Sequence, residues 1–299
     1  MPRLPRRKRR RPLDLISVIL PTLDRGDLIG RQLECLASQD IDRPFEVIVA
    51  DNGSVDDTAS VVGSFSDRIE RLRLVDASRR RGVAAARNIG VAAAAGPLLA
   101  FCDSDDAADP AWLREIIAAL EANEGAIVAG RVQFAFEGRP PPTRADWHEF
   151  SPRGVMLEFL AFADTASMAI RRADLDRVGG FDERFRRCSD VEVSYRAQTA
   201  GLALVDAPGA MMIKYQPSGI KAQWRQSFGW CTYHAALHRK FRHHGMPRRS
   251  NLQASRAWAK IAARAPLAFN PRQRTLLRRM SPEPIGRLVG SLRHRTWFP

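Results

Sequence analysis

The sequence predicts an α/β fold in which helices cover a mostly parallel sheet, followed by a C-terminal helical extension. Two observations lead to this prediction. Apolar, β-branched segments alternate four times with helical segments over about 120 residues, which is typical of a parallel sheet covered by helices. From about residue 217 the pattern changes, and aromatic side chains stand among many Arg, Lys and His residues, as in amphipathic helices.

Six segments have the composition of strands. Each is rich in apolar and β-branched side chains, and charged residues, Gly or Pro stand at its ends. The predicted strands are residues 15–20, 45–50, 71–75, 98–102, 126–136 and 165–170.

Four segments have apolar residues at helical spacing or a helix-favouring composition. The predicted helices are residues 28–39, 82–94, 111–123 and 190–201. Pro110 precedes the third helix and is favoured at a first helical turn, while Gly201 suits the end of the fourth. Residues 54–57 suit the start of a further helix, and the Pro-rich residues 137–154 are predicted to form a loop.

Length and composition limit the classes of protein to be considered. The 299 residues are enough for one large domain, or for one domain with an appendage. The four cysteines have no paired spacing, which argues against a disulfide framework or a zinc site and favours a reducing compartment. No run of about 18 apolar residues occurs, so a transmembrane helix is not expected. We therefore expect a cytoplasmic protein.

Charge is distributed unevenly along the chain. Residues 1–12 carry seven Arg or Lys and no acid, and residues 214–299 carry eighteen with one acid, Glu283. The remaining residues, 13–213, carry 22 basic and 32 acidic side chains. Two basic ends on an acidic body indicate a polyanionic partner, either anionic lipid or nucleic acid. Solvated basic tails without a partner are the alternative.

Three carboxylates follow the predicted strand 98–102 in the segment LLAFCDSDDAADPAWL, at Asp103, Asp105 and Asp106. Like charges this close oppose each other's ionisation, so a positive partner is expected. A metal ion, a cluster of Arg or Lys, or water alone would each serve. Asp51 likewise follows a predicted strand, and ligands bind outside the carboxyl ends of the strands in such sheets.

Four ordered segments together resemble the family 2 glycosyltransferases of the GT-A fold, which have a Rossmann-like sheet. They are SVILPTLDR, VIVADNGSVDDT, GVAAARNIGVAAAAGPLLAFCDSDD and GGFDERFRRCSDVEVSYRAQTAGL, and they cover about residues 15–216. The resemblance implies a nucleotide-sugar glycosyltransferase domain at 13–216, between a basic disordered tail at 1–12 and a basic helical extension at 217–299. It also implies an inverting transfer of a sugar from a nucleotide-diphosphate sugar to a hydroxyl acceptor.

The resemblance assigns roles to particular residues. Nucleotide-sugar binding falls on Pro21, Thr22, Asp24, Asp51, Gly53, Arg87, Asp103 and Ser104. Asp51 would accept a hydrogen bond from the nucleobase, which suits the imide N–H of uracil and makes UDP the expected nucleotide. Mn²⁺ or Mg²⁺ would bind at Asp103 and Asp105, because hard cations take oxygen ligands. For Asp106, a place in this motif and a simple helix N-terminal charge stay equally open.

The catalytic base of the family falls on Asp190. It would take the proton from the acceptor hydroxyl, and Ser189 stands where the family has Glu. Glu192 is a second candidate for the base, and an N-cap role is the alternative for Asp190. Lys214 stands near the position of a family His. It could hold the diphosphate as a point charge, which predicts a weaker dependence on metal.

The expected partners follow from the resemblance and from the charge distribution. They are a nucleotide-sugar donor, a glycan or lipid-linked acceptor in cell-envelope polysaccharide or glycolipid synthesis, and an anionic membrane contacted peripherally by the basic termini. No specific nucleic acid is expected, because no nucleic-acid motif accompanies the basic residues. Two alternatives are a non-catalytic polyanion-binding protein with a degenerate transferase core, and a nucleotidyltransferase.

Overall fold

The computed structural model describes residues 15–136, 138 and 154–299. The predicted N-terminal tail at 1–12 and nearly all of the predicted loop at 137–154 lie outside the described residues. In the described ranges the chain forms ten strands: β1 (Ile16–Thr22), β2 (Phe45–Asp51), β3 (Leu72–Asp76), β4 (Leu98–Phe101), β5 (Ala107–Ala108), β6 (Ala126–Phe136), β7 (Gly154–Val155), β8 (Ala161–Phe162), β9 (Met168–Arg171) and β10 (Ala203–Gln216).

Helices follow most of the strands and make up the C-terminal part of the chain. They are α1 (Gly26–Ala37), α2 (Thr58–Gly63), α3 (Val83–Ala93), α4 (Trp112–Ala122), α5 (Arg172–Arg177), α6 (Ser189–Thr199), α7 (Ile220–Cys231), α8 (His234–Phe241), α9 (Asn251–Arg264), α10 (Pro271–Met280) and α11 (Pro282–Arg293). The predicted α/β fold with a C-terminal helical extension is confirmed.

Eight strands form one sheet in the order β3-β2-β1-β4-β9-β6-β10-β5. The first four are parallel, and β9 runs antiparallel to both β4 and β6. Because β10 is parallel to β6, the carboxyl ends of β1, β2, β3, β4, β6 and β10 lie at the same edge of the sheet. The two-residue strand β5 then adds antiparallel to β10 at that edge.

Helices cover both faces of the sheet, so side chains of alternate residues in β1 enter different apolar clusters. Val18 belongs to the cluster that includes Leu33 of α1 and Trp112 of α4. Ile19 belongs to the cluster on the other face, with Val193 of α6. The nearly continuous apolar sequence of β1 is therefore explained by burial on both sides.

The strand β10 is the main element that the sequence pattern does not predict. Its sequence, ALVDAPGAMMIKYQ, contains two charged residues and the pair Pro208-Gly209, which normally argue against a strand. The register of β10 against β6 shifts between Ala207 and Met211, so this pair lies in a bulge. The strand resumes beyond the bulge and carries Lys214 to the carboxyl edge.

The helices after β10 differ in how deeply they pack. Tyr233 and Leu237 join an apolar cluster with Tyr195 of α6, so the start of the extension is fixed to the sheet domain. By contrast, Ala254 is the one buried residue of α9, and α10 has none among its described residues. In the described part of the chain, no helix is both long enough and apolar enough to cross a membrane.

Candidate active site

The carboxyl edge of the sheet brings most of the predicted site residues together. The register of the parallel strands places Thr22 beside Asp51 and Asp51 beside Asp76. Asp103 follows the end of β4, and β4 pairs with β1 on the side opposite β2. The residues assigned to the nucleotide and those of the acidic motif therefore lie on adjacent strands, at the edge where such sheets bind ligands.

On the β1–β2 side, the loops after the strands are fixed by local hydrogen bonds. Asp51 Oδ1 accepts from both the backbone N–H and the hydroxyl of Ser54, at 3.0 and 2.6 Å. Asp24, whose φ is +49°, accepts from the backbone N–H of Val55 at 2.9 Å. Gly53 has φ +95°, and a Cβ there would stand 3.2 Å from the side chain of Ser78. One oxygen of Asp51 thus shapes the turn.

Two predicted residues of β1 are buried. Pro21 lies within the strand, and the hydroxyl oxygen of Thr22 is buried with no hydrogen-bond partner among the described residues. A buried hydroxyl normally finds a partner. Thr22 therefore offers an unused polar atom at the edge, consistent with its predicted place beside a ligand.

Asn52 has a positioning role that the sequence prediction missed. Its side-chain amide donates to the carbonyl oxygens of Ala77 and Arg80, at 2.6 and 2.8 Å. Its side-chain oxygen accepts from the backbone N–H of Gly82 at 2.7 Å. These bonds tie the loop after β2 to the loop before α3. The signal was present in the Asn-Gly pair that follows Asp51, which is typical of a turn.

The negative charge after β4 is compensated by cations of the chain itself. Asp103 Oδ1 accepts from Arg87 Nη2 at 2.8 Å, and its Oδ2 lies 3.5 Å from the ammonium of Lys214. Lys214 also donates to both oxygens of Asp164, at 2.8 and 2.9 Å. Arg87 is only 4% exposed and donates to Ser189 Oγ at 3.2 Å. Asp164 was not predicted, and Ser104 is buried beside this array.

Pairing of β5 with β10 explains how Lys214 reaches the acidic motif. Ile213 stands opposite Ala107, so the next residue of β10 lies beside the residues that precede β5. The backbone N–H of Tyr215 donates to Asp106 Oδ1 at 3.2 Å, while the second oxygen of this buried carboxyl has no partner among the described residues. Asp106 is thus a buried part of the site and not an exposed charge at a helix start.

Burial and neighbouring charges separate the pKa values of these acids. Burial works against the charge on Asp103, but Lys214 and Arg87 outweigh it and lower the pKa of that carboxyl. Burial and the charge of Asp103 raise the pKa of Asp105. Burial raises the pKa of Asp106 well above its usual value, with Asp103 and Asp105 adding to the effect. The three carboxyls of the motif therefore differ in how readily they ionise, with Asp103 the most acidic of them.

Asp190 lies in the first turn of α6, one residue after the Ser189 that binds Arg87. Burial raises its pKa to about 6, and the charge of Asp164 contributes, whereas Lys214 and Arg87 oppose the rise. The N-cap residue of α6 is Cys188 and not Asp190, so the alternative N-cap role is wrong. A carboxylate with a pKa near 6 is suited to accept a proton near neutral pH.

Glu192 has a different environment. It is fully buried, and its two oxygens accept from Nε and Nη2 of Arg196, both at 2.8 Å. Lys240 of α8 also donates to Glu192 at 2.5 Å and to Asp182 at 2.7 Å. These cations engage both carboxylate oxygens, so Glu192 connects α6 to the helical extension and is not placed to take a proton from a substrate.

The predicted metal ligands, Asp103 and Asp105, belong to a small set of carboxylates at this edge. Within the described residues, no group of three or more His, Cys, Asp or Glu side chains is arranged to hold a metal ion. A Mg²⁺-type ion, however, needs only one or two protein carboxylates, because water and substrate phosphates complete its coordination. Asp105, whose side chain is 35% exposed and 3.4 Å from Arg25, would supply an oxygen ligand of this kind, and Asp103 would do so beside Arg87 and Lys214. One oxygen of Asp106 in the same motif has no hydrogen-bond partner among the described residues. The residues fit an ion that binds together with a diphosphate.

A family model and several known proteins match a large part of the chain. The model of the family described as glycosyl transferase family 2 matches residues 17–179. The glycosyltransferase AglE of Haloferax volcanii is 29% identical over 65% of this chain and 65% of its own length. The validoxylamine A glucosyltransferase of Streptomyces hygroscopicus subsp. jinggangensis is 30% identical over 64% of this chain, and 53% of its own length is covered. The chain thus matches between half and two thirds of these relatives.

Among solved structures, a mannosyltransferase of Pyrobaculum calidifontis in complex with GDP-mannose and Mn²⁺ superposes with a TM-score of 0.62. The two chains are 17% identical, and the superposition covers 94% of this chain and 86% of the other. At this identity the likeness concerns the fold, and the GT-A-type fold predicted from the sequence is confirmed.

Proposed function

Because the chain belongs to glycosyl transferase family 2, we propose that it transfers a sugar from a nucleotide-diphosphate sugar to an acceptor hydroxyl, with inversion at the anomeric carbon. The observation that carries this proposal is the position of Asp190. Its carboxyl, with a pKa of about 6, lies next in sequence to Ser189, which Arg87 connects to Asp103 of the acidic motif. In this proposal the proton acceptor, Asp190, and the cations that would face the phosphates, Arg87 and Lys214, lie at one edge of the sheet.

In this proposal Asp190 is the general base. It takes the proton of the acceptor hydroxyl while that oxygen attacks the anomeric carbon from the face opposite the leaving nucleoside diphosphate. A base with a pKa near the working pH combines the ionised form with useful basicity. The bond to the anomeric carbon forms as the bond to the diphosphate oxygen breaks, so the configuration inverts.

Arg87 and Lys214 are proposed to face the negative charge of the leaving diphosphate. Both are held by carboxylates at this edge and are largely buried, so their positive charges are fixed before substrate arrives. Asp103 and Asp105 would hold Mn²⁺ or Mg²⁺, which would act as a Lewis acid toward the diphosphate. Because Lys214 already supplies a positive charge there, we expect a weaker dependence on metal than a site built on carboxylates alone would have.

The nucleoside is proposed to lie over the ends of β1 and β2. Thr22, Asp24, Asp51 and Gly53 line this side, and the buried hydroxyl of Thr22 has no partner among the described residues. Asp51 uses one oxygen for Ser54, and its other oxygen could accept from the imide N–H of uracil. UDP is therefore the proposed nucleotide. The acceptor is proposed to be a cell-envelope glycan or lipid-linked sugar, reached by peripheral association with an anionic membrane.

Thermal unfolding in the presence of UDP, GDP, dTDP or CMP, each with and without Mn²⁺, tests the donor site. A ligand that binds only the folded chain raises the Tm. We expect UDP to stabilise the wild type, and the Mn²⁺-dependent part of this shift to disappear in Asp105→Ala. Asp67→Ala is the matched control. Asp67 is an exposed acid that precedes β3, and it therefore lies toward the edge of the sheet opposite the candidate site. Absence of stabilisation by every nucleotide would contradict the proposal.

A further inference from the structure

The helices α9 and α10, with the turn that joins them, form a helical hairpin at residues 251–280 that is poorly buried. A helix on a globular domain normally buries an apolar stripe against its neighbours. Here Ala254 is the one buried residue described in α9, and α10 has none. Packing onto the rest of the chain therefore does not account for the apolar side chains of this hairpin.

Several large apolar side chains of the hairpin face solvent. Phe269, in the turn between the two helices, is 79% exposed, and Leu252 is 61% exposed. The others are Trp258, Leu267 and Leu276. Single exposed apolar residues are ordinary, but a group of this size in one short segment indicates an interaction site.

The same hairpin carries seven basic residues and no acid. They are Arg256, Lys260, Arg264, Arg272, Arg274, Arg278 and Arg279. None of them forms an ion pair with a carboxylate in the described part of the chain. Arg274 instead donates to the carbonyl oxygen of Ala268 at 3.2 Å, which holds its guanidinium beside the turn that exposes Phe269. The positive charges and the exposed apolar side chains thus occur together in one short segment, and Arg274 and Phe269 lie at the same turn.

We propose that the α9–α10 hairpin is the surface by which this protein docks on an anionic lipid bilayer. Phe269 and Leu267 enter the interfacial region, and the flanking arginines contact lipid phosphates. Basic amphipathic helices with Phe, Leu and Trp on the apolar side bind membranes in this way. A single-stranded nucleic acid would bind the positive charges and stack its bases on aromatic rings. It would make no use of exposed aliphatic side chains such as Leu252, Leu267 and Leu276, so these side chains favour a lipid as the partner.

This proposal assigns a defined surface to the membrane association proposed above. It rests on the proposed function only in assuming that the sugar acceptor lies at the membrane. The hairpin is linked to the site edge through α7, because Trp224 Nε1 donates to Ser281 Oγ, just after α10, at 2.9 Å. The helix α7 in turn follows β10, which carries Lys214. The hairpin is thus connected, through α7, to the strand that carries Lys214.

Flotation of the full chain with vesicles tests the surface. Vesicles of phosphatidylcholine alone are compared with vesicles that also contain phosphatidylglycerol, and we expect binding to the second kind. Phe269→Ser with Leu267→Ser, and separately Arg272→Gln with Arg274→Gln, should each weaken binding by about tenfold or more. Phe269→Leu should retain binding. Arg68→Gln with Arg114→Gln removes the same charge from the sheet domain and should leave binding unchanged.

Each alternative gives a different result. Equal vesicle binding by the wild type and by the Phe269→Ser, Leu267→Ser double variant would overturn the proposal. It would also be overturned if duplex DNA displaced the protein from vesicles equally well in the wild type and in this double variant. A hairpin-dependent dimer on size-exclusion chromatography would make a second copy the occupant instead. Nucleotide-induced Tm shifts are measured on the same variants. Loss of vesicle binding with nucleotide binding intact separates this docking from the donor site.

Discussion

The sheet domain and the α9–α10 hairpin use arginine in opposite ways. On the sheet domain, surface arginines pair with carboxylates: Arg68 with Glu34, Arg43 with Glu121, and Arg114 with Asp40. In the hairpin, no such pair forms in the described part of the chain, although seven basic residues are present. Exposed ion pairs contribute little stability, but they neutralise charge. These surface arginines of the sheet domain are therefore neutralised by neighbouring acids, whereas the hairpin leaves its charge for a partner.

Large apolar side chains show the same contrast. Trp112 of α4 is fully buried, and its indole N–H donates to Ser167 Oγ at 2.9 Å. Trp258 of α9 is exposed, in a helix whose basic residues form no ion pair within the described ranges. Residues of one type thus fix the fold in one region and remain available for contact in the other. Substitutions in the two regions should accordingly change different properties.

The largest expected effect is on catalysis, in the sheet domain. Asp190→Asn should lower kcat by about a hundredfold to ten-thousandfold, because general-base assistance is lost. The variant should unfold at the same or a higher temperature above pH 6, since the raised pKa of Asp190 means that its charge destabilises the folded state there. Sugar transfer and thermal unfolding are measured together, with Asp67→Asn as the control. Unchanged turnover would remove Asp190 from its proposed role.

The next effect concerns stability of the sheet domain. Trp112→Ala should lower the free energy of unfolding by about 3–5 kcal/mol, since it leaves a cavity between α4 and the sheet and removes the partner of Ser167. Denaturant unfolding measures the change. A loss below about 1 kcal/mol would show that the core near α4 adapts, and the contrast with the hairpin would then be weaker than the burial indicates.

The sequence was sufficient to predict the parts of the molecule that depend on local patterns. All six predicted strands are present. The apolar runs of β1, β2 and β4 coincide with burial on both faces of the sheet, whereas β3, at the edge of the sheet, is largely exposed. Asp103 and Arg87 were predicted as site residues, and the structure joins them by an ion pair. Asp103 follows the end of β4, where parallel sheets bind ligands, so a sequence pattern can indicate its place.

The sequence was not sufficient where partners lie far apart along the chain. Lys214 was predicted as a candidate, but its main partner Asp164 was not, because their contact depends on a β10 strand that a Pro-Gly bulge conceals. Glu192 shows the same limit. It was predicted as a candidate base, yet its carboxylate is engaged by Lys240 of α8, from the extension. Such long-range pairing leaves no periodic signal.

A smaller effect should appear in the pH profile. Because Asp190 must be ionised to act, kcat/KM should fall tenfold per pH unit below about 6. Lys214 and Arg87 lower the pKa of Asp190, and Asp164 raises it. Lys214→Met should therefore move the acidic limb to higher pH, and Asp164→Asn should move it to lower pH. Shifts in the same direction for both variants would show that another group controls the limb.

The smallest expected effect is in the hairpin. Trp258→Ala should change the free energy of unfolding in solution by less than about 0.5 kcal/mol, because an exposed side chain away from the core contributes little. Denaturant unfolding under the conditions used for Trp112→Ala provides the matched comparison of two tryptophans. A loss of several kcal/mol would mean that Trp258 is covered in solution, by a second copy of the chain, for example. The exposed surface would then be an interface that stabilises the protein, and the contrast between the two regions would disappear.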